Sequence, residues 1–352
     1  MIIIKERTFV PDYNCIVNAA WRKPVKRVPL YDHGVSPKNM EIITGRKNPG
    51  NLGERFEDRV EYFRYVSRFY ASMGYETMNF GSALPLPGMR PIQSHIPGVV
   101  RNMEDLQKYP WAEIPEKYRV MIEKYYPALR EALPSGMKVV GGIGGGMFET
   151  AQMLLEYEGL CYARADDPEF YSALYQKIRE ARRTCLNMLF QEYGDIIAVC
   201  HTGDDLGFKT STLISREDIV EHVIPGYQET TAIAHAYGKP FLLHSCGNLF
   251  SVMEDLIGSA SFDAKHSNED EIAPFSRWVD LYGERIGLFG GPDTGFLASA
   301  GKEAIRECTL DILRYMEGRN GFAISSGNTI PDYVPADNYV KFVETVREYR
   351  GE

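Results

Sequence analysis

The chain has 352 residues, 44% of them hydrophobic and 12% aromatic, which is enough to bury a large core and excludes disorder as its main state. Its formal net charge of −9, with Lys and Arg dispersed along the sequence, excludes the basic footprint of a nucleic-acid or anionic-membrane binder. No window reaches the ~20 uninterrupted apolar residues of a spanning helix, and the opening MIIIKERTFVPDYN is charged too early for a signal peptide, so the chain reads as cytoplasmic.

After an N-terminal extension of about 26 residues, short β-type runs ending in Gly, Asp, Asn or His alternate with segments of helical periodicity. The runs are RVPLYDHG (27–34), MGYETMNFG (73–81), KVVGGIGGG (138–146), IIAVCHTGDD (196–205), PFLLHSCG (240–247), FDAKHS (262–267), RIGLFGGPD (285–293) and GFAISSGN (321–328). Eight strand and helix alternations without a change of pattern predict an α/β fold, a single-domain (β/α)8 TIM-type barrel over 1–352, with an open parallel sheet as the alternative. Between the runs, Asp167-Pro168 and Ser215-Arg216-Glu217-Asp218 read as helix N-caps, Pro225 as a kink within a helix, and Gly194, Gly238 and Gly283 as helix stops. FGSALPLPGMRP (80–91) is long for a barrel loop and reads as a lid or a pocket wall.

The chemistry of such a barrel sits at the C-terminal ends of its strands. Read as one ring, those ends carry Asp32, His33, Asn79, Glu149, His201, Asp204, Asp205, His244, Cys246, Lys265, His266, Asp293, Ser325, Ser326 and Asn328. Four of the seven histidines in the chain fall there. Within LLHSCGN (242–248), His244 and Cys246 stand at i and i+2, so on a strand both side chains point to one side and Ser245 to the other. Imidazole nitrogen and thiolate sulfur are zinc ligands, and the alternative is a packed histidine beside a buried thiol. Of the two adjacent carboxylates, Asp205 is favoured over Asp204 as the one facing the pocket, as metal ligand, acid or base. GGIGGG (141–146) lacks the Lys-Ser/Thr of a phosphate loop and reads as a glycine-lined strand that leaves room for a bulky ligand. Met78, Phe80, Met147, Phe148 and Phe208 would suit an apolar ring, with core packing as the alternative. None of the six cysteines forms a C-x-x-C pair.

The ordered set RVPLYDHG, GDDLGFKTSTLIS, HAYGKPFLLHSCGN, AKHSNED, GGPD and SSGNTIPDYVPADN resembles the uroporphyrinogen decarboxylase superfamily over nearly the whole chain. The resemblance implies a barrel with a deep cleft and one of two activities: tetrapyrrole decarboxylation, or methyl transfer to or from a corrinoid. The chain lacks the arginine-rich N-terminal segment of the decarboxylases, and SSGNTIP replaces their glycine-histidine pattern. In the methyltransferase branch zinc is held by a His-x-Cys and a later cysteine. His244 and Cys246 match the first two, and ISSGNTIP offers Ser325, Ser326 and Asn328 in place of the third.

The resemblance therefore implies an O-demethylase component that moves a methyl group from a methoxylated aromatic to the cobalamin of a partner corrinoid protein, with zinc as a further cofactor. On this reading Asp205, His201 and His244 are catalytic, His244 and Cys246 are metal ligands, and His33, Asn79, Lys265, His266, Asp293 and Asn328 bind substrate. A homodimer is compatible with the sequence. The alternatives are a decarboxylase of a porphyrinogen-like or smaller carboxylic acid, and a non-catalytic corrinoid-binding module.

Overall fold

The structure is a computed structural model that describes residues 9–50, 53–92 and 95–352, so the first eight residues of the expected N-terminal extension lie outside the described residues. Each of the eight apolar runs contains a strand: β1 (Leu30–Tyr31), β2 (Thr77–Asn79), β3 (Lys138–Gly141), β4 (Ile197–Gly203), β5 (Phe241–His244), β6 (Ala264–His266), β7 (Gly287–Gly290) and β8 (Phe322–Ser325). They form one parallel sheet in the order β1-β8-β7-β6-β5-β4-β3-β2, curled into a nearly closed barrel with helices outside. The (β/α)8 barrel expected from the alternation is the fold observed.

The helix signals act as read. Ser215 Oγ accepts from the Asp218 backbone N–H at 3.0 Å, and an Asp167 carboxylate oxygen accepts from that of Phe170 at 3.0 Å. The helix containing Pro225 continues through it, with a π-helical turn over Ile219–Val223 absorbing the missing donor just before Ile224–Ala236. Segment 80–91 is a wall: Ser82–Ala83 pairs in parallel with Ile143–Gly144, extending the barrel upward, and Leu84 and Leu86 are buried.

The barrel interior is a gradient set by the period of two along each strand. Tyr31, Val199, Leu242, Ala264 and Ala323 belong to the inner apolar cluster, and two residues further toward the C-terminal end stand His33, His201, His244, His266 and Ser325. Helix Asn14–Ala20 closes the apolar end, with Ile16, Ala19 and Ala20 packed into that same cluster. Gly287 permits the approach, since a Cβ there would lie 2.8 Å from the Ala19 carbonyl oxygen. The barrel is thus plugged at one end and lined with imidazoles at the other.

Among the described residues no backbone ladder joins β1 to β2, the two edges of the sheet. Side chains close this seam. The Asn79 amide donates to the carbonyls of Asp32 (3.0 Å) and His33 (2.9 Å) and to the Tyr31 hydroxyl (3.1 Å). Asp32 is buried with its carboxylate turned to the outer side, where Tyr75, Tyr339 and both the hydroxyl and backbone N–H of Ser326 donate to it.

Burial raises the Asp32 carboxyl from 3.8 to about 6, against the pull of those donors. An acid raised on folding stabilises most below its unfolded pKa, near pH 4, and that contribution is lost as pH rises through about 6. The stability advantage of wild type over Asp32→Asn is therefore expected to shrink by about 2 kcal/mol between pH 4 and pH 8. Urea unfolding of both proteins at the two pH values measures this, and pH-independent separation of the curves would count against it.

Candidate functional site

The imidazole end of the barrel brings together residues from β1, β4, β5, β6 and β8. His33 lies flat on His244, with ring centroids 3.9 Å apart and an interplanar angle of 11°. His201 is 5.1 Å from His33 and His266 is 4.9 Å from His244, centroid to centroid. All four rings are shifted toward the neutral form, first by burial, and His201, His244 and His266 lie well below the ordinary imidazole value. His33 Nδ1 and His201 Nε2 are buried without a hydrogen-bond partner, a pair of unmet polar atoms that a ligand would satisfy.

Cys246 follows β5 by two residues, and its Sγ lies 3.5 Å from His244 Nε2. Ser245 is turned away, its hydroxyl accepting from the Leu206 backbone N–H. Asp205, half-exposed, places Oδ1 3.7 Å from His244 Nε2 and accepts with the same oxygen from the Cys246 backbone N–H at 3.0 Å. Asp204, in contrast, is fully buried and accepts from the backbone N–H groups of Phe148 and Glu149, at the start of helix Met147–Leu155, and from the Tyr227 hydroxyl. Of the two adjacent carboxylates, Asp205 is the one beside His244 and Cys246, and Asp204 is turned to the start of helix Met147–Leu155.

Two groups of donors have the spacing of a metal site: Asp205, His244 and Cys246, and His33, His244 and His266. A tetrahedral zinc with ordinary bond lengths sets its sulfur and nitrogen ligands about 3.5 Å apart and two nitrogens about 3.3 Å apart. The Cys246–His244 separation of 3.5 Å matches the first value. The 2.7 Å between His244 Nδ1 and His266 Nδ1 is too short for the second and is a hydrogen bond. The residues present therefore fit a zinc held by Asp205, His244 and Cys246, with a fourth position open.

Other ring members have different surroundings. Asn328 does reach the centre, its amide donating to Cys246 Sγ at 3.2 Å; Ser267 Oγ, which the sequence did not single out, donates to the same sulfur at 3.6 Å. Lys265 points to the outside of the barrel, where its ammonium donates to the carbonyls of Ser245 and Ser267 and sits 4.4 Å from the centre of the Trp278 ring. Asp293 caps helix Thr294–Ser299, accepting from Gly295 and Phe296 with one oxygen and from the Asp270 backbone N–H with the other. Asn79 stitches the seam.

The glycine run corrects the reading of GGIGGG as room for a bulky ligand. A Cβ on Gly142 would meet the His201 carbonyl oxygen at 2.4 Å and one on Gly146 the Asp204 carboxylate carbon at 2.1 Å, so at these two positions the space is filled by protein. Of the five apolar side chains considered for the pocket, Met78, Met147 and Phe148 are buried in the main core, Phe80 packs against it, and Phe208 is exposed.

Glu149 stands beside Asp205, whose backbone N–H it accepts at 3.4 Å. Burial, then the carboxylates of Asp204 and Asp205, raise it to about 8, which favours its protonated form next to the donor set. Burial, then Asp205, raises the Cys246 thiol to about 12. Metal binding must displace that proton. One zinc per chain is expected to bind to the chelator-treated protein with release of a proton to the buffer, and Cys246→Ala is expected to weaken binding by at least about 100-fold. Equal affinity in a competition titration would remove Cys246 from the ligand set.

The family model described as uroporphyrinogen decarboxylase (URO-D) matches residues 70–349. No curated protein matches the sequence. Among solved structures, the chain is similar to a methyltransferase from Methanosarcina mazei at 16% identity and a TM-score of 0.69, covering 97% of this chain and 100% of that one. It is also similar to a putative vitamin-B12-independent methionine synthase from Listeria monocytogenes at 12% identity and a TM-score of 0.51, covering 98% and 100%. Likenesses at such identity show the fold, whereas the match over 70–349 spans most of the sequence: the chain belongs to the uroporphyrinogen decarboxylase family.

Proposed function

We propose that this chain is a methyltransferase that takes the methyl group of a methoxylated aromatic and passes it to the cobalamin of a separate corrinoid protein. The observation that carries the reading is the convergence of His244 Nε2, Cys246 Sγ and Asp205 Oδ1 at the imidazole-lined end of a barrel of this family. The M. mazei methyltransferase with the same fold supports it. Tetrapyrrole decarboxylation is less well served, because the buried Arg182 has its guanidinium engaged by the carbonyls of Ile143 and Gly145 and by Thr202 Oγ1 rather than facing the histidines.

An aryl ether loses its methyl group only if the oxygen left behind is stabilised as negative charge develops. A zinc ion at this donor set would supply a Lewis acid for that oxygen. The chain's own residues do the rest. Asp205 holds the Cys246 backbone in place, and Asn328 and Ser267 donate to the sulfur, favouring its thiolate form. The bare nitrogens of His33 and His201 offer hydrogen bonds to a polar substituent beside the methoxy group. Glu149 carries a proton that can pass to the departing phenol oxygen. The electron pair of the broken C–O bond would stay on that oxygen, and the reduced cobalamin of the partner protein would supply the electron pair for the new bond to the methyl group.

Incubation of the zinc-loaded protein with a guaiacol-type phenyl methyl ether and reduced cobalamin, free or bound to a corrinoid protein, is expected to give methylcobalamin and the free phenol. Glu149→Gln is expected to slow this by about 10²- to 10⁴-fold, the range for loss of a general acid. Failure to methylate any corrinoid from a panel of methoxyarenes would end this reading, and release of CO₂ from a porphyrinogen would replace it with decarboxylation.

A further inference from the structure

The hydrogen bonds behind His244 fix where its proton sits. His266 Nε2 lies 3.2 Å from the Ser326 carbonyl oxygen, which can only accept, and 3.1 Å from Ser325 Oγ. The Ser325 hydroxyl itself donates to the Ser326 carbonyl at 2.6 Å, which leaves its oxygen as an acceptor toward His266. Both neighbours of His266 Nε2 therefore require a proton on that nitrogen. Its Nδ1 faces His244 Nδ1 at 2.7 Å. Between two nitrogens at that distance there is one proton, and a second on His266 would make it a cation. His266 is fully buried among His33, His244 and Tyr31, and among the described residues its hydrogen-bond partners are His244, Ser325 and Ser326 with no carboxylate, so a cation there would be uncompensated.

We infer that His266 is a positioning residue that holds His244 as the Nδ1–H tautomer, leaving the His244 Nε2 lone pair bare and aimed at Cys246 and Asp205. The chain of donors then runs in one direction, from His244 Nδ1 to His266 Nδ1 and from His266 Nε2 to the Ser326 carbonyl. Ser326 is itself fixed by Asp32 through its hydroxyl and its backbone N–H, so β1, β8, β6 and β5 are linked to the site in one relay. The bare Nε2 then faces the Cys246 sulfur at 3.5 Å. The same lone pair serves as a metal ligand without proton rearrangement on the ring, which is the role of partners behind metal-binding histidines.

The inference rests on the reading of His244 and Cys246 as donors, and it is tested separately from it. ¹⁵N-histidine NMR of the chelator-treated wild type, with signals assigned by loss in His244→Gln and His266→Gln, is expected to show His244 protonated at Nδ1 and bare at Nε2. It is expected to show the reverse for His266. A proton on His244 Nε2 overturns the inference whatever the metal data show. In zinc competition, His266→Phe, which has no acceptor for His244, is expected to bind about 10- to 100-fold more weakly, and His266→Gln, whose amide oxygen restores one, to recover most of that loss. Unchanged affinity in folded His266→Phe also overturns it. If the wild type binds no zinc, the metal reading fails and the tautomer assignment stands or falls on the NMR result.

Discussion

Four imidazoles packed within one barrel mouth can coexist only as uncharged rings, and the rest of the structure follows from that requirement. With His33 stacked on His244 and His244 bonded to His266, a proton added to one ring is opposed by the others and by burial. The strand ends that carry ionic groups accordingly turn them outward. Lys265 faces carbonyls and Trp278 outside the barrel, and Asp32 faces the tyrosines behind the seam. Asp205 is the half-exposed exception, and it is the carboxylate closest to the bare face of His244. An electropositive guest at that face meets lone pairs and a carboxylate, while the ammonium of Lys265 is held on the outer side by the carbonyls of Ser245 and Ser267.

The fold was legible because its signals are local. Each strand is an apolar run bounded by turn residues, and the period of two is enough to place Tyr31 below His33, Leu242 below His244 and Ala264 below His266. The same parity, applied strictly, turns Lys265 away once His266 faces inward. Treating all strand ends as one ring obscured this, and it gathered Asn79, Lys265 and Asp293 with residues whose side chains point elsewhere.

What the sequence could not show is partner identity over long separations. The donors on Asp32 come from Tyr75, Ser326 and Tyr339, and Asn79 bridges to a strand whose ladder it replaces. GGIGGG misled for the same reason. Glycine marks a close approach, and only the packed structure tells whether the neighbour is a ligand or, as here, the backbone of β4 and the side chain of Asp204. The absent late cysteine was visible, with Ser325, Ser326 and Asn328 in its place, but the sequence did not show that Asn328 donates to Cys246 Sγ or that the carboxylate beside His244 and Cys246 is Asp205, which follows β4.

Helix Asn14–Ala20 makes the barrel a cup rather than a tube, since its apolar side chains fill the end opposite the histidines. On the proposed reading, the ether and the corrinoid would share the end that this helix leaves open, so the deeper of the two would enter first and leave last.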